Sequence, residues 1–149
     1  MKFISKKSKH PTALCKVRIQ ALLRQLAIAR DGGCVLRSIA AQEGLSTCNG
    51  FRKDGELILQ YDHLISRSKS ISYAELDLGV TLCKGHHGWK SFTDENSKRY
   101  DEIIKKVLCQ ERIDKWERFK NDRKTYRFGI WEWGKIEIVL KQELNKHEI

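Results

Sequence analysis

The chain has a single proline and a single methionine in 149 residues. The scarcity of proline excludes a Pro-rich linker. No apolar run approaches the ~20 residues that a membrane span needs. The best candidate, Thr12 to Ala29, is broken by Lys16, Arg18, Gln20, Arg24 and Gln25. Acidic side chains are also short, at nineteen against twenty-nine Lys and Arg, which leaves a formal charge of +10. An excess of that size favours a polyanionic partner, since each phosphate neutralised by a cation releases condensed counterions. Charge alone does not decide the matter, because many small basic proteins have no such partner.

A hydrophobic content of 40 %, with four Trp and five Phe, excludes a disordered chain and suits one compact folded unit. The apolar part of Met1 to Lys7 is too short for a secretory signal, so a cytoplasmic location is expected. Five cysteines are an odd number, and without such a signal clustered cysteines point to metal ligation before a disulfide framework.

Residues 1–10 are rich in Lys and lack acidic side chains, which suggests a flexible basic arm able to follow phosphates, or simply a solvated tail. Residues 11–149 are expected to form one domain, with a core over 30–92 and a helical part over 93–149. Pro11 suits a helix start, and Thr12 to Arg30 carries good helix formers until Asp31-Gly32-Gly33. Cys34 to Gly55, broken by Gly44, Asn49-Gly50 and Asp54-Gly55, reads as a loop that needs a staple. Leu57 to Tyr61 and Val80 to Leu82 read as two strands joined by a Ser-rich loop. Beyond Thr93, Tyr100, Ile103, Ile104, Val107 and Leu108 define an amphipathic helix. Ile113, Trp116 and Phe119 continue that stripe. Ile130, Trp133, Ile136, Leu140 and Leu144 suggest a last helix, although Ile136-Glu137-Ile138 also suits a strand. No internal repeat or low-complexity tract is present. The expected class is α+β.

The chemistry-bearing residues lie between Arg30 and Phe92. Cys83-x-x-His86 has the spacing at which a turn aims two donors at one ion, and Cys34 and Cys48 can complete a tetrahedral Zn²⁺ site. Thirteen residues separate that second pair, which an inserted loop permits because closure cost grows slowly with length. Three buried thiols are the alternative. Cys15 and Cys109 are expected to be plain core thiols. His86 and His87 lie about 100° apart on a starting helix, so they suit two duties. If His86 closes the zinc site, His87 projects toward Asp62 and His63, and a second metal fits between Asp62 and His87. His63 can then act as a neutral general base. Strand alternation sends Asp62 and His63 to opposite faces, so they share a site only if the strand ends or twists there. Arg67, Lys69 and Lys90 lie nearby and suit DNA-phosphate contacts, Lys90 following His87 on the same helix face and so able to stabilise charge in the reaction. Trp89 is expected to pack against the first helix, with stacking on a base as the alternative.

Leu59-Gln60-Tyr61-Asp62-His63-Leu64-Ile65-Ser66-Arg67 and Val80-Thr81-Leu82-Cys83-Lys84-Gly85-His86-His87-Gly88-Trp89-Lys90 together resemble the HNH, or ββα-metal, endonucleases. The resemblance implies His63 as general base, Asp62 and His87 as ligands of a catalytic divalent ion, and Cys34, Cys48, Cys83 and His86 as structural zinc ligands. It implies Mg²⁺ or Mn²⁺ at the catalytic position, with Zn²⁺ or Ni²⁺ as alternatives, and products with 5′-phosphate and 3′-hydroxyl ends. The wider order of elements is similar to phage recombination endonucleases of the NinG/Rap type, which implies a phage origin and branched DNA as substrate. Leu78 stands where the family has its middle Asn, with Asp77 as a neighbouring substitute. A homodimer is compatible with double-strand cutting, which needs two sites presented together. The rival readings are a zinc-stapled DNA-binding module without catalysis and a phage packaging partner with a vestigial site.

Overall fold

The computed structural model describes residues 10–124 and 126–147. The basic arm expected over residues 1–10 therefore lies, His10 apart, outside the described residues. Mixed helix and a small two-stranded sheet make the architecture α+β, in the order α1 (Pro11–Asp31), β1 (Leu59–His63), α2 (Ser70–Tyr73), a single 3-10 turn (Leu76–Leu78), β2 (Gly79–Cys83), α3 (Lys84–Phe92), α4 (Asp94–Val107), α5 (Gln110–Lys120) and α6 (Ile130–His147). Among the described residues no helix is long and apolar enough to cross a membrane.

Helix α1 starts as its sequence suggests, with Pro at the first turn and the His10 ring nitrogen accepting from the Thr12 amide. It stops where Gly32 takes a left-handed φ of 71° and returns its N–H to the Ile28 carbonyl. The end of α1 is fixed to the sheet by side chains. Asp31 accepts from the Thr81 amide at 2.9 Å, and Arg30 donates to the carbonyls of Leu76 and Gly79.

Strands β1 and β2 pair antiparallel, with Asp62 opposite Val80 and His63 opposite Gly79. Gly79 is needed because the Tyr61 ring lies across it, 1.9 Å from where a Cβ would stand. Alternation then sorts two cores onto the two faces. Val80 and Leu82 pack with Tyr100, Ile103, Ile104 and Trp116 of α4 and α5, whereas Tyr61 packs with α1, Tyr73 and Trp133 of α6. The sheet thus lies between α4 and α5 on one side and α1 and α6 on the other.

The expected helices after Thr93 are present. The residues around Ile136 to Ile138 are helical, because Trp133, Glu137 and Leu140 recur on the face that meets α1. Three expectations need correcting and one needs extending. The Ser-rich connection is not plain loop, since it holds α2 and the 3-10 turn. Cys34 to Gly55 is held by more than cysteines: Leu36 and Ala40 are buried, and the Val35 amide donates to the Thr81 carbonyl. Cys109 is exposed at the start of α5 rather than in a core, because it precedes the helix's buried stripe. Trp89 packs against the core on the α4 side, not against α1, since α3 lies on that side of the sheet.

Candidate metal centre and active-site pocket

The turn from β2 into α3 gathers the first cluster. Cys83 caps α3, its sulfur accepting from the His86 amide, and this aims Cys83 Sγ and His86 Nδ1 at one point 3.2 Å apart. Cys34 Sγ lies 3.4 Å and Cys48 Sγ 3.8 Å from the same nitrogen, and the four donor atoms all fall within 4.8 Å of one another. A tetrahedral ion with bonds of roughly 2.3 Å to sulfur and 2.05 Å to nitrogen separates such donors by roughly 3.6 Å. The Cys34/Cys48/Cys83/His86 group could therefore hold a metal ion.

Its outer contacts suit that use. His86 Nε2 lies 2.7 Å from the Ser46 carbonyl, which can only accept, so Nε2 carries the proton and Nδ1 presents its lone pair to the three sulfurs. Burial pushes the Cys34 thiol up, and burial with the neighbouring thiols pushes Cys48 up to about 12. Cys34 and Cys48 so placed stay protonated unless a cation compensates them. The loop carrying Cys48 reaches the cluster by lying directly on α3: the Gly85 amide donates to the Asn49 carbonyl, and a Cβ on Gly85 would stand 1.7 Å from the Asn49 side chain. Gly50, at φ 92°, completes that turn.

One helical step beyond His86, about 100° round α3, His87 turns away from the sulfur cluster. It lines an open pocket of about 600 Å³ together with Asp62, His63, Arg67 and Lys90. Asp62 and His63 do leave β1 on opposite faces, as alternation requires. They meet in one pocket because β1 ends at His63 and, among the described residues, its outer edge has no strand partner, so both faces open onto the same groove.

Asp62 is buried, with both oxygens engaged. Tyr100 Oη donates to Oδ2 at 2.7 Å, Lys90 Nζ donates to Oδ1 at 2.6 Å, and His87 Nε2 lies 3.5 Å from Oδ1. Burial acts to raise the carboxyl's pKa. The hydrogen bonds of His87, Lys90 and Tyr100, with the Lys90 charge, outweigh it and hold the group below its ordinary value. Two donors about 2.1 Å from one divalent ion and 90–110° apart are roughly 3.0–3.5 Å from each other. The Asp62 and His87 pair meets that limit at its upper end.

His63 is half-buried, and its Nε2 donates to the Tyr73 carbonyl at 2.9 Å. Nδ1 is thereby left as the free lone pair. Burial, aided by the charges of Arg67 and Lys90, pushes the ring down to about 4 against the opposing pull of the Tyr73 carbonyl and Asp62. His63 is therefore neutral at physiological pH and able to accept a proton. Tyr73 is itself held by α1, through its hydroxyl and the Lys16 carbonyl and Gln20, and by an edge contact with Trp133.

Arg67 is exposed at the pocket mouth. Lys69, expected beside it, is directed elsewhere: its ammonium donates to the carbonyls of Lys120 and Asp122 at the end of α5, where unpaired carbonyls attract a cation. Leu78 is a buried core residue whose carbonyl accepts from the Leu64 amide just past His63. Asp77 does not substitute for an orienting Asn, because its carboxylate faces outward to Lys115. The Tyr73 carbonyl orients the His63 ring instead.

Four residues of the pocket and its supports were not singled out from the sequence. In the sequence Tyr100 belongs only to a core stripe, and Tyr73 only follows the Ser-rich stretch. Gln20 and Arg24 line the pocket from α1, with Arg24 donating to the Leu59 carbonyl on the free edge of β1. No local pattern marks any of these, since each owes its role to an element distant in the chain. Comparison with family models, curated proteins and solved structures finds no match.

Proposed function

We propose that this chain is a divalent-metal-dependent DNA endonuclease of the HNH type, acting in phage DNA recombination or processing, with structural zinc at Cys34, Cys48, Cys83 and His86. The observation that carries the proposal is the convergence of Asp62, His63 and His87 on one open pocket with Arg67 and Lys90 at its side. In this reading Asp62 and His87 hold the catalytic ion, whose contribution is to neutralise charge on the phosphate as the ester bond breaks. His63 Nδ1 takes the proton from the attacking water, and its bond to the Tyr73 carbonyl keeps the ring turned for that transfer. Arg67 fixes the DNA backbone by phosphate contact, and the net charge of +10 draws the polyanion in.

Plasmid and branched-DNA cleavage with Mg²⁺, Mn²⁺ or EDTA tests the reading. Wild type is expected to cleave with metal and not with EDTA, and His63→Ala to lose about 10²-fold or more in rate while DNA affinity and folding are kept. A second reading, a zinc-stapled DNA-binding module without catalysis, is favoured by the Lys90 ammonium already seated on Asp62. It predicts DNA binding with no cleavage under any metal, and elemental analysis still returning one zinc per chain.

A further inference from the structure

The buried carboxylate of Asp62 has a donor on each oxygen. Tyr100, buried on α4, commits Oδ2. Oδ1 alone faces His87, and there Lys90 Nζ stands at 2.6 Å while His87 Nε2 waits at 3.5 Å. An ion bound between Asp62 and His87 would need the space at Oδ1 that the ammonium fills. Two cations cannot sit on one carboxylate oxygen at such distances without strong repulsion.

Lys90 is held in place by more than this contact. Its ammonium lies 4.7 Å from the centre of the Tyr100 ring, and its backbone carbonyl accepts from Ser97 of α4. The ring face gives the cation a favourable seat beside the carboxylate. The side chain is four-fifths buried yet lines the same pocket, so it has space to turn away from Asp62 without unfolding α3.

We propose that Lys90 is the resident counter-cation of Asp62, which a divalent ion displaces, so that ammonium and metal exchange at one carboxylate oxygen. This rests on the reading of Asp62 and His87 as a divalent-ion pair. Lys90 keeps the buried carboxylate compensated while no ion is bound, and it weakens ion binding by competing for the oxygen that the ion needs. Tyr100 acts as a positioning residue, because its claim on Oδ2 restricts Asp62 to one free oxygen.

The test is Mn²⁺ binding to the zinc-loaded full chain in the absence of DNA, followed by the electron paramagnetic resonance signal of free Mn²⁺. Lys90→Met is expected to bind Mn²⁺ about tenfold more tightly than wild type, as removal of a competing part-buried ion pair implies. Arg67→Met, which removes a cation from the same pocket without freeing Asp62, is expected to change the affinity by no more than about twofold. Asp62→Asn is expected to abolish the tight site in the Lys90→Met background. If Lys90→Met fails to fold, Lys90→Gln carries the same titration, with thermal melting as the check on folding. Mn²⁺ affinity that is equal or weaker in the folded Lys90 variant overturns the proposal. So does an equal gain in Arg67→Met, which would show general electrostatics in place of exchange. Failure of the nuclease reading shows differently, as absent cleavage by wild type with the Mn²⁺ gain in Lys90→Met intact.

Discussion

The two clusters at the start of α3 use adjacent histidines under opposite conditions. His86 is buried, its Nδ1 surrounded by three sulfurs and its Nε2 fixed to a backbone carbonyl, so the group has no direction left open. His87 is partly exposed, and the carboxylate it faces is shared with Lys90 beside an open pocket. A closed four-donor set could hold a metal ion, whereas a two-donor set beside open space leaves room for a further ligand. One helical step of about 100° separates the two uses.

The largest effect that distinguishes the clusters should come from the closed one. Cys83→Ser, or prolonged chelation, is expected to abolish the cooperative thermal transition followed by circular dichroism, because metal affinities of roughly 10–16 kcal/mol in small zinc domains exceed ordinary folding stability. A melt unchanged by either treatment would place the fold's stability elsewhere. Tyr100→Phe acts on the open cluster. It leaves one buried Asp62 oxygen without its donor, and chemical denaturation should read a loss of about 1–3 kcal/mol. A loss no larger than that of an exposed substitution would count against the tight seating of Asp62.

Smaller effects sharpen the boundary of the pocket. Arg67→Ala should weaken DNA binding by several-fold and flatten its salt dependence, whereas Lys69→Ala should leave DNA affinity unchanged, because Lys69 is spent on the carbonyls of Lys120 and Asp122. Equal losses in a fluorescence-anisotropy titration would refute that separation.

The smallest effect lies far from both clusters, at the α1 and α6 contact. Hydrogen bonds from Arg18 hold the Glu137 carboxyl below its ordinary value of 4.5, aided by the Arg18 and Lys141 charges against the upward push of burial. A depressed folded-state pKa gives stability that is present above the unfolded value and lost as pH falls through the folded one. The stability advantage of wild type over Glu137→Gln should thus be about 1 kcal/mol or less at neutral pH and shrink below pH 4.5. A difference that grows on acidification would reverse the assignment.

Much of this was legible in the chain. Pro11, Gly32 and the helical period of Tyr100 to Leu108 define helices through local chemistry that neighbours do not override. Cys83-x-x-His86 sets two donors by a single turn, and that pair was readable without knowing the fold. Cys34 and Cys48 were also named as partners of that pair, but what brings them there is tertiary: Val35 pairs with Thr81 beside Cys34, and Asn49-Gly50 lies against Gly85 beside Cys48. Lys69 shows the opposite limit. Nearness in sequence suggested a shared pocket with Arg67, yet the end of α5 supplied a stronger attraction for its charge.

By itself the sequence determined which residue types were available and at what local spacing: the Cys and His at a helix start, the Asp-His at a strand end, and the helix caps. Local spacing follows from backbone geometry, which the chain carries everywhere. Only the tertiary structure decided that Tyr100 and Lys90 share Asp62 and that the Tyr73 carbonyl turns His63. Those contacts join elements ten to thirty-eight residues apart, and their partners are chosen by how helices pack on the two faces of the sheet, which no local pattern encodes.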